Sequence, residues 1–308
     1  MLHQPTIEKM DAMRLEPMVR AWREQEESAE ARALPFEDRL ALLVDRLWTS
    51  RQTLALEQRL RRAKLRLKAV VEDIDFRAPR GLDRNLVLSL IADSAWVARH
   101  ENVFLTGPTG VGKSWLACAL AQKACRDGYQ ILYTRAPALF RDIVVARTDG
   151  TWRNMLSRLA RVDVLIVDDW VMAPMSDSER RDFWEICEDR YQLRSTILTS
   201  QIPVDRWHAQ IGDPTLADGI LDRLVHHAHR IDLKGESIRK LKASSTGVRT
   251  AASASLRSGN GPAASVPAEG SSAAGRSPAA TVSSDVRSVM QSFRFLGPVS
   301  SAWVAGFS

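Results

Sequence analysis

The sequence predicts an α/β fold, a parallel sheet flanked by helices and preceded by a helical segment. Two stretches carry that prediction. At 103–114 an apolar run of strand formers, Val103, Phe104 and Leu105, meets a glycine-rich turn, and a long helical pattern opens at Trp115. At 162–169, Val-Asp-Val-Leu-Ile-Val-Asp-Asp has the Val, Leu and Ile content of a strand covered on both faces, as at the centre of a parallel sheet. With 308 residues, 45% of them hydrophobic, the chain has room for one large α/β domain and a smaller one.

Taken in order, residues 1–75 contain no glycine and place apolar residues at helical spacing. Phe36, Leu40, Leu43 and Leu47 form one stripe after a helix start at Pro35, and that spacing predicts a packing face. Basic residues follow: Arg51, Arg59, Arg61, Arg62, Lys64, Arg66 and Lys68, with Glu57 nearly alone against them. Such a run is either a solvated helix face or a stripe that neutralises DNA phosphates by counterion release. Pro79 and Gly81 interrupt 76–84, which sets the expected boundary of the helical N-terminal domain, 1–75. A helix is expected over 83–99.

The glycine turn is Gly107-Pro108-Thr109-Gly110-Val111-Gly112-Lys113-Ser114, a G-x-x-x-x-G-K-[ST] P-loop. By composition alone the motif arises in a chain of this length about once in a hundred. Glycines let successive backbone N–H groups surround phosphate oxygens, and the helix that follows aims its positive end at them. Lys113 would reach the β and γ phosphates, and Ser114 would place its hydroxyl on Mg²⁺. Beyond Gly128, a strand is expected at 130–134 and helices at 137–147 and 152–159. The strand at 162–169 ends in Asp168, the expected Mg²⁺-associated acid, and Asp169, placed to polarise an attacking water.

A helix over 176–193 is read with Arg180, Arg181, Glu185, Glu188 and Arg190 on its wet side. The strand 195–201 ends in Ser200 and Gln201, which could hydrogen-bond the γ-phosphate or the water. A helix at 216–225 presents Arg223, and 226–233 reads as the last strand. His226, His227 and His229 lack a second ligand set that would make them a metal site. From about Ala243 the composition turns to Ala, Ser, Gly, Pro and Thr, predicting a disordered tail over 243–308 with a more apolar end at Phe293, Phe295, Leu296, Trp303 and Phe307.

The 43 Lys and Arg against 37 Asp and Glu leave a charge of +6, which allows a nucleic-acid partner without requiring one. Three scattered cysteines, Cys118, Cys125 and Cys187, suit a reducing compartment better than a disulfide frame. No apolar stretch approaches the roughly 20 residues of a membrane span, and the start lacks the apolar core of a signal peptide. The expectation is a cytoplasmic protein with no membrane partner.

With the P-loop, the Asp-Asp strand, the Thr-Ser-Gln strand end and the Asp-Arg-Leu helix in place, the chain resembles AAA+ ATPases. More closely, it resembles the IstB-like helper ATPases of bacterial insertion sequences, relatives of DnaC-type helicase loaders. The stretches 105–124, 197–207 and 212–239 carry the match, which spans roughly 5–242. The resemblance implies a five-stranded parallel sheet of order 5-1-4-3-2, an ATPase domain over 76–242, and a helical N-terminal domain that contacts DNA or a partner transposase. It makes Gly107 through Ser114 the Walker A motif, Asp168 and Asp169 Walker B, and Gln201 the sensor-1 position. Arg223 becomes an arginine finger acting in trans on a neighbouring subunit's γ-phosphate.

Two departures stand out. Many AAA+ enzymes carry Glu where this chain has Asp169, which implies slow hydrolysis. The helical lid is reduced, with Arg239 the one candidate lid sensor. The implied function is an ATPase that uses ATP and Mg²⁺ to oligomerise on duplex DNA and stimulate a cognate transposase, with Arg59, Arg61, Arg62, Lys64, Arg66 and Lys68 as candidate DNA contacts. The alternatives are a DnaC-like replicative helicase loader, a P-loop transferase such as a small-molecule kinase, and a nucleotide-binding module without turnover.

Overall fold

The glycine-free start of the chain forms successive helices in the computed structural model, which describes residues 3–235 and Ser237. The candidate lid residue Arg239 and the 243–308 segment lie outside the described residues. The helices are α1 (His3–Ala12), α2 (Glu16–Glu27), α3 (Ala29–Arg32) and α4 (Phe36–Ala63). Pro17 sits in the first turn of α2, where a missing N–H costs nothing. The long α4 begins directly after Pro35 and ends where Lys64 turns left-handed at φ 54°.

α2 packs on the first half of α4 along the face of Arg39 and Arg46, which Gln25, Glu26 and Glu24 contact, and Phe36 and Leu40 lie to one side of that face. Coverage of the expected stripe is therefore partial. Leu43 and Leu47 are half-buried, but Phe36 and Leu40 are exposed, which corrects the reading of all four as a packing face.

The single helix expected over 83–99 is two, α5 (Arg84–Ala92) and α6 (Ala95–Ala98). Asp93 and Ser94 divide them. The Asp93 carboxylate accepts the Ala95 N–H at 2.9 Å, and Ser94 turns to φ 51° while its hydroxyl donates to Asp127 at 2.6 Å. Short polar side chains that bond nearby backbone compete with helix in this way.

From there strands and helices alternate: β1 (Asn102–Thr106), α7 (Lys113–Arg126), β2 (Ile131–Arg135), α8 (Ala136–Thr148), α9 (Trp152–Arg161), β3 (Val164–Asp168), α10 (Asp177–Arg190), β4 (Ser195–Ser200), α11 (Trp207–Ile211), α12 (Pro214–Val225) and β5 (Ala228–Asp232). All five strands are parallel, in the order β2-β3-β4-β1-β5. Read from the other edge this is 5-1-4-3-2, so the fold is the P-loop sheet of AAA+ type. The register sets Thr106 beside Ser200 and Asp232, and Arg135 beside Asp168. The carboxyl ends of the strands are thereby level, where such sheets bind ligands.

Alternation along the strands divides the core between the two faces. Val103, Leu105, Ile166 and Ile197 pack with α7, with Trp96, and with Leu56, Leu60 and Ala63 from the end of α4. Phe104, Leu165, Val167 and Leu198 pack with Phe140, Phe183, Trp207 and Ile220. Cys118 and Cys125 are free thiols buried on α7, acting as small core residues. Among the described residues, no helix is long and apolar enough to cross a membrane.

Arg190 does not lie on the wet side of α10. It is 3% exposed, and its guanidinium donates to the carbonyls of Leu159, Val162 and Ser195 and to the Thr196 hydroxyl. Burial pushes its pKa down to about 9, so it stays cationic at neutral pH. One charged side chain thus ties the end of α9 to the start of β4. Replacing it by methionine keeps the volume but strands those carbonyls, at an expected cost of about 3–5 kcal/mol. A thermal unfolding midpoint within two degrees of the parent would refute this role.

Candidate functional site

Between β1 and α7 the chain must turn sharply around an open centre, and only glycine permits the path taken. Gly107, Gly110 and Gly112 have φ of 137°, 87° and 105°. A Cβ on Gly107 would stand 2.1 Å from the Leu233 carbonyl oxygen, and one on Gly110 would meet the Ser237 hydroxyl at 2.1 Å. Gly112 precedes the first turn of α7, whose free N–H groups point into the loop. Lys113 is 7% exposed, with Nζ donating to the carbonyls of Gly107 (2.7 Å) and Pro108 (2.8 Å). Burial lowers its pKa, and Asp169 and Asp168 oppose that shift.

Ser114 and Asp168, far apart in sequence, meet at the site. The Ser114 hydroxyl donates to Asp168 Oδ1 at 2.7 Å. The fully buried carboxylate also accepts from the Thr199 hydroxyl, and from the Tyr133 hydroxyl at 2.5 Å on Oδ2. Burial first, then this bond to Asp168, raises the Tyr133 pKa, so the phenol remains a donor. A serine hydroxyl and a carboxylate side by side at a helix N-terminus are the hard oxygen donors that Mg²⁺ prefers. These residues fit that ion.

Asp169 sits one residue past β3 in a left-handed conformation, φ 60°. This aims its carboxylate at Arg135, whose Nε and Nη2 donate to Oδ2 at 3.0 and 2.8 Å. Gln201 follows β4 and accepts the Thr109 hydroxyl at 2.7 Å, tying the strand end to the P-loop. Lys113, Ser114, Asp168, Asp169 and Gln201 are therefore gathered at one end of the sheet, with Pro108, Thr109 and Val111 in the loop between.

Arg223 lies elsewhere, on α12 against α10. Its Nε donates to Glu188, its Nη1 to the Gly219 carbonyl at 2.9 Å, and its guanidinium lies 5.7 Å and 5.9 Å from the ring centres of Trp184 and Tyr191. It borders a 310 Å³ cavity that Arg99, Arg194 and His227 also line. This cavity is separate from the P-loop. His226 pairs with Asp222 and His229 with Glu101, each at 2.7 Å.

The basic candidates divide. Arg59 is half-buried, and its Nε donates to the Cys125 carbonyl at 2.8 Å. Arg61, Arg62, Lys64, Arg66 and Lys68 are exposed. Arg66 reaches the P-loop end of the sheet, with Nη1 3.9 Å from Asp168 Oδ2.

Sequence reasoning gave no role to Tyr133, Arg135 or Thr199. All three belong to strands already expected, and the order 5-1-4-3-2 sets the second and fourth strands on either side of the third. That adjacency was the one signal available for them.

Comparison with known proteins identifies relatives of the chain. The family model described as IstB-like ATP binding protein matches residues 8–246. An insertion sequence ATP-binding protein of Sinorhizobium fredii is 50% identical over 240 residues, covering 78% of this chain and 98% of its own length. The insertion sequence IS1162 ATP-binding protein of Pseudomonas fluorescens is 44% identical over 204 residues, covering 66% of this chain and 88% of that one. Among solved structures, the crystal structure of DnaI is similar at 23% identity and a TM-score of 0.47, over 54% of this chain and 91% of that one.

Proposed function

The chain belongs to the IstB-like ATP-binding family, and from that premise we propose that it is an ATPase that assembles on duplex DNA and stimulates the transposase of its insertion sequence. The observation that carries the reading is the Ser114–Asp168 contact beneath a P-loop whose lysine is buried and held by loop carbonyls. A glycine turn kept only for its shape would not need these three groups together.

In this reading the loop N–H groups and Lys113 bind the β and γ phosphates. Ser114 and Asp168 would hold Mg²⁺, which when bound would neutralise charge on the phosphates. Gln201 orients a water, and Asp169 polarises it once Arg135 lets its carboxylate go. The water oxygen forms a bond to the γ-phosphorus, the bond to the bridging oxygen of ADP breaks, and the water proton passes to Asp169 and then to solvent. Arg223 of a neighbouring subunit contributes charge to the transferring phosphoryl group. ATP then bridges subunits, and assembly depends on it. The N-terminal segment, with Arg61 and Arg62 at the end of α4 and Lys64, Arg66 and Lys68 just beyond it, contacts DNA phosphates, and the protein works in the cytoplasm.

Light-scattering mass tests this directly. Mass should grow several-fold on duplex DNA with ATP or a slowly hydrolysed analogue, and stay at the starting value with ADP. A species indifferent to duplex and nucleotide would sink the reading. Growth on single strands alone would point to a helicase loader.

A further inference from the structure

Asp168 is fully buried, and its hydrogen-bond donors are all neutral hydroxyls: Ser114, Thr199 and Tyr133. The one ion pair it makes among the described residues is with Arg66, at 3.9 Å. Arg66 is itself 46% exposed, so its guanidinium stands between a buried carboxylate and solvent.

Its backbone has little freedom to move away. After α4 ends at Lys64 the chain alternates, with Lys64, Arg66 and Lys68 outward and Leu65, Leu67 and Ala69 packed into the core on the α7 face. Arg66 is thus anchored on both sides and sits within a row of exposed cations. Among the described residues, Arg61, Arg62, Lys64 and Lys68 make no ion pair with an acid. The row has charge to offer a polyanion, and one member is already committed to Asp168.

Two cations cannot share one carboxylate without repelling each other. We propose that Arg66 guards the magnesium-binding carboxylate, holding Asp168 in the nucleotide-free protein and leaving it when Mg²⁺ and nucleotide bind, so that nucleotide and DNA are coupled through this side chain. The proposal rests on the functional reading above. Coupling is reciprocal by linkage: DNA phosphates that draw Arg66 outward relieve the repulsion, so duplex lowers the Mg²⁺ needed for nucleotide binding. Arg66 is then a positioning residue, acting on the nucleotide through Asp168.

The test is equilibrium binding of a fluorescent ATP analogue across a Mg²⁺ titration, with and without duplex DNA, for the parent protein, Arg66→Gln, Arg66→Lys and Arg51→Gln. Duplex should lower the parent's Mg²⁺ midpoint about five- to tenfold. Arg66→Gln should start at that lower midpoint without DNA and show no further shift. Arg66→Lys should keep the parent's shift. Arg51→Gln, which loses one exposed charge of α4 outside the proposed contacts, should keep the parent's midpoint without DNA.

An Arg66→Gln midpoint equal to the parent's overturns the proposal, as does Arg66→Lys behaving like Arg66→Gln. A parent protein that binds no nucleotide at any Mg²⁺ concentration takes the functional reading down as well. That outcome is visible in the first titration.

Discussion

Arg223→Ala is expected to lower ATP turnover about a thousandfold or more, the range by which an arginine finger accelerates phosphoryl transfer. The residue is well suited to isolate that effect. Its side chain is 23% exposed, and within the subunit it contacts Glu188, the Gly219 carbonyl and the faces of Trp184 and Tyr191, none of them part of the P-loop cluster. Pairs this close to the surface contribute about 1 kcal/mol or less, so the variant should fold and bind nucleotide as the parent does. What it should lose is transition-state charge on a neighbour's nucleotide, and the association that ATP supports. Mixing offers the sharper readout. Arg223→Ala subunits combined with Lys113→Ala subunits, each inactive alone, should recover part of the turnover, because the second supplies the finger and the first supplies the nucleotide. Full activity in Arg223→Ala alone, or no recovery on mixing, would show that the residue does not act in trans.

How legible the site was follows from how local each signal is. The P-loop was readable because its glycines, lysine and serine are contiguous and each has a backbone or charge reason to be there. Asp168 and Asp169 were readable because β3 is a buried run that ends at them. Tyr133 was not, since its tie to Asp168 exists only through the pairing of β2 with β3. In the sequence Arg66 is one member of a basic row, and nothing in its neighbours announces that the turn after α4 brings it to Asp168.

Arg190 shows the limit of periodicity in another way. A charged residue in a helix pattern reads as exposed, yet here three carbonyls from two segments, the end of α9 and the start of β4, converge on one guanidinium. The stripe from Phe36 to Leu47 fails for the opposite reason. Its spacing is helical and α4 is a helix, but periodicity reports which residues share a face and not which face is covered, and α2 sits on the Arg39 and Arg46 side, leaving Phe36 and Leu40 exposed.

Lys113→Ala is expected to weaken ATP binding by roughly a hundredfold to a thousandfold, because truncating a buried, hydrogen-bonded charge opposite another charge costs about 2–5 kcal/mol. The same change should leave the empty protein standing. Burial holds the Lys113 pKa below its ordinary value, so the folded state binds that proton less tightly than the unfolded chain does. The group's contribution to stability therefore rises as pH climbs through its folded pKa, and at neutral pH the charged lysine is a cost to the nucleotide-free fold. Removing it frees the carbonyls of Gly107 and Pro108 to take water at the loop surface. Thermal unfolding with and without ligand separates the two effects. Without nucleotide, parent and variant should melt within a few degrees of each other. With Mg²⁺ and a slowly hydrolysed ATP analogue at a hundred times the parent's dissociation constant, the parent should gain about 2.7 kcal/mol from binding and the variant almost nothing. An equal rise in both would mean that Lys113 is not the phosphate-binding lysine, and the P-loop assignment would have to be withdrawn with it.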